Sequence, residues 1–187
     1  MKKQHHLHQG YFLNRIAANY NGNPVKADPM QLLQSFFDYA GRAEHIKAFD
    51  GYCRAALKDS YSWQHGSPAN ALHYGEQLEL LIEACYLVHQ QAERYQWTTY
   101  NAVAVPVTEF PMLLSSKEFA DPMGFLAKFF EKRSLRRWKH WLHLFTTAAL
   151  SNGSLAEEMD GADIFSFINY MKKLVYTASR LLVLKEG

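Results

Sequence analysis

Apolar residues recur at three- and four-residue steps through most of the chain, the period of an α-helix with one buried face. The clearest run spans 69–96. At about 100° per residue, Tyr74, Leu78, Leu81, Cys85, Val88 and Ala92 share one face, and Glu76, Glu79, Glu83 and Gln90 lie opposite. Asp28-Pro29 supplies a capping carboxylate and a proline at the first helical position, which predicts a helix over 30–40. Gly41 breaks it, a second helix follows over 42–60, and 61–68 (YSWQHGSP) reads as turn. In the second half, Ser115-x-x-Glu118 forms a capping box and Asp121-Pro122 repeats the earlier start signal. Helices are predicted there over 123–132, 134–150 and 160–185, and another near the start over 9–20. The segment 98–111 (TTYNAVAVPVTEFP) has no helical period and carries two prolines. It is expected to cross the bundle extended, with Val103, Val105, Val107 and Phe110 covering a seam.

The order of these elements repeats. At an offset of 93, Asp28-Pro29-Met30 falls on Asp121-Pro122-Met123, Leu33 on Leu126, and Phe36-Phe37 on Phe129-Phe130. Further on, Ala55-Ala56-Leu57 falls on Ala148-Ala149-Leu150, Ala69 on Ala162, and Leu81 on Leu174. The expected fold is all-α: one domain over 1–187, a bundle of six to seven helices. It is built from two tandem three-helix units, 28–96 and 121–187, joined by the extended segment 98–111. The units should pack around an approximate twofold axis, with at least one phenylalanine of each matched pair in the core.

Composition narrows the class. With 48% hydrophobic, 14% aromatic and 20% charged residues in 187, the chain can build a core and is not disordered wholesale. No apolar run follows the charged start, so export is not expected. The apolar windows 78–88 and 174–184 are interrupted by Glu79 and Glu83 or by Arg180, so no membrane span is expected. Cys53 and Cys85 match no zinc spacing and make no disulfide framework; they read as small buried hydrophobes in a cytoplasmic chain.

The net charge is only +2, yet it is unevenly spread. Between 128 and 143 six cations (Lys128, Lys132, Arg133, Arg136, Arg137, Lys139) face one acid, Glu131, a local +5 that leaves −3 for the remainder. On a helical wheel Leu135, Trp138, Trp141, Leu142, Phe145 and Ala149 point inward, so the two tryptophans are core anchors. Arg133, Arg136, His140, His143 and Thr147 form the opposite strip. Arg133, Arg136, Arg137, His140 and His143 are therefore the candidate surface for an anion or nucleic acid. The acidic ridge Glu76-Glu79-Glu83 reads as a solvated face, or as a partner for the basic helix of the other unit or of another subunit.

Catalytic signatures are missing. No phosphate-binding glycine loop, H-E-x-x-H, C-x-x-C or G-x-S-x-G occurs, and no Glu is followed by His three residues later, which excludes a di-iron bundle. His140 and His143 have chelating spacing, with His45 or Asp50 as a third ligand, and in this respect the chain resembles the DinB-like helical metal proteins. Arg136, Arg137 and Lys139 would repel a divalent cation there, so neither a metal nor another cofactor is expected. Arg133 with His140, Arg136 with His143, and Arg137 with His143 have the spacing of the Arg-x(4–6)-His motif, and this helix resembles that of the HEPN ribonucleases. The resemblance implies arginine and histidine gathered at a dimer interface for metal-free RNA cleavage.

The leading expectation is a cytoplasmic helical interaction or scaffold protein without an evident catalytic site. It would self-associate or bind an unknown protein partner, away from any membrane. The alternative is a nucleic-acid-binding or HEPN-like RNA-acting protein that uses the basic helix 133–143.

Overall fold

The computed structural model describes residues 13–58, 67–95, 113–151 and 153–186. The crossing segment 98–111 and most of the turn 61–68 lie outside the described residues. Within them the chain is all-helical, with eight α-helices and no strand. These are α1 (Asn14–Asn19), α2 (Pro29–Tyr39), α3 (Arg42–Leu57), α4 (Pro68–Gln90), α5 (Ser116–Ala120), α6 (Pro122–Lys132), α7 (Leu135–Leu150) and α8 (Gly161–Glu186). The number exceeds the expected six to seven because the capping box at Ser115 starts a helix of its own. Pro122 stops it, since the residue before proline avoids helical backbone. Asp121 leaves the helix at φ −125° and restarts it as the N-cap of α6, accepting from Gly124 N at 2.7 Å.

The long helices keep the register of the sequence. Displaced by 93 positions, Pro29–Tyr39 becomes 122–132, the bounds of α6, and Arg42–Leu57 becomes 135–150, the bounds of α7. The start of α4 at Pro68 likewise falls on the start of α8 at Gly161. Between the first two helices of each set the chain passes through two extended residues, Ala40 and Gly41 in one case, Arg133 and Ser134 in the other.

Packing follows the same correspondence. Phe36 stacks on His45 at 3.8 Å between centroids, and Phe129 stacks on Trp138 at 4.2 Å. His45 Nε2 lies 2.8 Å from the Phe36 carbonyl, and Trp138 Nε1 donates to the Phe129 carbonyl at 2.9 Å. Since a carbonyl only accepts, His45 carries its proton on Nε2. Phe36 and Phe129 are buried, with Phe37 and Phe130 half-buried against them. The buried apolar side chains of all the long helices form one cluster. Helix α3 crosses α7 at its centre, where Tyr52 and Phe145 stack at 6.4 Å.

Helices α4 and α7 approach closely at Gly75. A Cβ there would lie 2.7 Å from Thr146 Oγ1, a hydroxyl already bonded to Tyr52 Oη at 2.7 Å and to the Leu142 carbonyl at 2.9 Å. Gly75→Ala is expected to cost about 1–3 kcal/mol, measured by urea denaturation. Adding Thr146→Ala, which makes room, should recover most of that loss.

Candidate functional site

The structure divides the predicted basic strip. Arg133 lies not on α7 but in the extended link before it, because Ser134 caps the helix, accepting from Arg137 N at 3.3 Å. Its guanidinium reaches Asp163 at 3.6 Å and sits 5.4 Å from the Trp141 ring centroid, so it is engaged within the fold. Along α7 itself the strip is Arg136, His140 and His143, with Arg133 half-exposed in the link just before it. All three are exposed on α7, and Arg137, also exposed, leans over Trp141 at 5.4 Å. Arg136, Arg137, His140 and Ser134 surround an open hollow at the start of α7. Trp138 and Trp141 are buried as expected.

Of the Arg–His pairs, the first has Arg133 in the link and His140 on α7. Arg136 and His143 share the exposed strip. The metal reading loses its third ligand: His45 is buried and bonded to the Phe36 carbonyl, and Asp50 pairs with Lys172. Among the described residues no group of three His, Cys, Asp or Glu side chains could hold a metal ion.

Burial lowers the pKa of His45, opposed by its bond to Phe36 and the charge of Glu44; burial also lowers that of His89. The fold thus prefers neutral imidazoles, and the stability they give holds above the ordinary histidine range and is lost as the pH falls through it. Stability should drop below about pH 6.5. In His45→Phe part of that loss should vanish, as urea midpoints on either side of this pH would reveal.

The densest polar cluster joins the acidic ridge to α7. Glu83 is fully buried, not part of a solvated ridge. Its carboxylate accepts from Ile16 N at 2.8 Å and Arg15 N at 3.2 Å, both on α1, and pairs with Lys139 of α7. Glu79 bonds Lys139 at 3.0 Å and Arg15 at 3.1 Å, and Glu76 bonds Arg15 at 3.0 Å. Lys139 also donates to Asn14 Oδ1. The acidic ridge thus pairs with the basic helix of the other half. Burial raises the Glu83 pKa, while Lys139 and the α1 amides favour its charged form. A cleft of about 130 Å³ beside the cluster, with His143 and Thr146 on its wall, is well below the ~300 Å³ of ordinary ligand sites.

The thiols and the hydroxyls of Tyr52 and Tyr74 suit no covalent chemistry. Cys53 and Cys85 are free, buried and held protonated, burial pushing both thiols up. Burial pushes the two tyrosines up in the same way. No described helix is long and apolar enough to cross a membrane. No known protein family, curated protein or solved structure matches the chain.

Proposed function

We propose that the chain is one all-α domain made of two tandem three-helix units, 28–96 and 121–187, closed about an approximate twofold axis. The matched helix bounds and the matched Phe36–His45 and Phe129–Trp138 stacks support this. So does the Tyr52–Phe145 contact: these positions are 93 apart, and a twofold axis brings equivalent side chains together. The domain works as a helical interaction protein without a catalytic site, self-associating through the cationic end of α7. The free, buried thiols fit the reducing cytoplasm.

One observation carries the functional reading. Lys139 is neutralised inside the fold and Arg133 pairs with Asp163 at its surface, whereas Arg136 and His140 have no ion-pair partner among the described residues and stand exposed beside Arg137. Such a cluster attracts an anionic surface and steers its approach. A complement exists in the same chain, since Glu157, Glu158 and Asp160 are exposed in the turn before α8. A second copy is therefore the favoured partner. Nucleic acid is less favoured because the two tryptophans of the basic helix, Trp138 and Trp141, are in the core and cannot stack on bases.

The test is Arg136→Glu with Arg137→Glu, followed by sedimentation across a salt series. The expected result is a dimer that weakens about tenfold in the variant and with rising salt. A mass that neither change affects overturns the reading. Salt-sensitive RNA binding lost in the variant, with cleavage lost in His143→Ala, would favour the HEPN-like alternative instead.

A further inference from the structure

We propose that α1 is an exchangeable arm, so that in the dimer α1 of each copy seats in the groove between α4 and α7 of the other. This rests on the self-association inferred above, and it identifies the segment that locks the two copies. The charged and hydrogen-bonding partners that fasten α1 belong to α4 and α7. Glu83 receives the amides of Arg15 and Ile16, Glu76 and Glu79 hold the Arg15 guanidinium, and Lys139 holds Asn14. Leu13 and Ile16 are buried in the core cluster and supply the apolar anchors. These partners are indifferent to which chain provides α1, so exchange keeps the contacts with α4 and α7 and gives up only those of the turn itself, such as the Gly22 N to Ala17 carbonyl bond.

The groove does not stand empty at low cost. Withdrawing α1 would strip the buried Glu83 carboxylate of two amide donors and uncover the seats of Leu13 and Ile16. The replacement must offer two adjacent free amides, an arginine one residue before an apolar anchor, and an asparagine in reach of Lys139. Another copy of α1 offers all of these.

The link after α1 sets which copy is served. It turns back through Asn21 at φ 52° and Gly22 at φ 80°, with Gly22 N bonded to the Ala17 carbonyl at 2.8 Å. Two consecutive left-handed residues make this turn the point where the chain either folds back or runs on to a neighbour.

The experiment uses the full chain with Gly22→Val, and separately a chain lacking Asn21 and Gly22. A Cβ at 22 would meet no atom within 4 Å, so valine acts chiefly by disfavouring the positive φ of the closed turn. Sedimentation is combined with hydrogen exchange at the Arg15 and Ile16 amides. The dimerisation constant should rise about tenfold in Gly22→Val. The shortened chain should be dimeric with both amides still protected. A monomeric shortened chain, or a dimer whose two amides exchange freely, overturns the exchange. A wild-type dimer that is lost in the Arg136→Glu, Arg137→Glu variant but unchanged by Gly22→Val sinks the exchange alone. Monomers throughout sink both the exchange and the self-association beneath it.

Discussion

Replacing Lys139 with methionine will destabilise the protein by about 3–5 kcal/mol, because it strands a buried carboxylate. Glu83 is fully buried, and methionine keeps the apolar stem of Lys139 while removing its ammonium. The loss should depend on pH in a definite direction. Burial raises the Glu83 pKa, and without Lys139 it will rise further, so a proton can neutralise the stranded group in the fold. The destabilisation should therefore be largest near neutral pH and shrink as the pH falls toward the carboxylate range. Adding Glu83→Gln removes the charge and leaves an oxygen to accept from Ile16, so the double variant should be more stable than Lys139→Met alone. Equal stability of the two, or a loss that does not vary with pH, would show that the pair contributes little.

Phe129→Ala should cost about 3–5 kcal/mol, and Phe36→Ala a similar amount. Phe129 is fully buried and touches Trp138, Phe130, Phe125 and Tyr170, so its removal opens a cavity walled by rigid rings that cannot collapse inward. Phe37→Ala and Phe130→Ala should cost clearly less, because those rings are only partly buried. Chemical denaturation of the four variants gives the comparison. If the half-buried member of either pair proves the more costly, the correspondence between the two halves fails at its best-matched position.

What could be read in advance was what depends on one helix at a time. Asp28-Pro29 and Asp121-Pro122 start helices because capping and proline geometry are local, and Trp138 and Trp141 go inward because the 3.6-residue period decides it. The break before α7 is legible locally, and the helix predicted over 134–150 leaves Arg133 outside it. Ser134 is a capping residue, and it stands 93 positions after Gly41, where the break in the first half is plain. That the acidic ridge pairs with the basic helix was legible from charge; that Glu83 is buried was not. A wheel knows only its own helix, whereas the amides that bury this carboxylate come from 67 and 68 residues away and its ammonium from 56. Buried charge is decided by tertiary partners, and nothing in the spacing of 76, 79 and 83 announces them.

The cluster around Glu83 also orders events in time. Its carboxylate comes from α4 and its ammonium from α7, one from each half of the chain. The seat of α1 therefore does not exist until those two helices have met. A six-residue helix is too short to persist alone, so α1 should coil last during refolding and fray first during unfolding. Its attachment marks the moment at which the two halves have found each other.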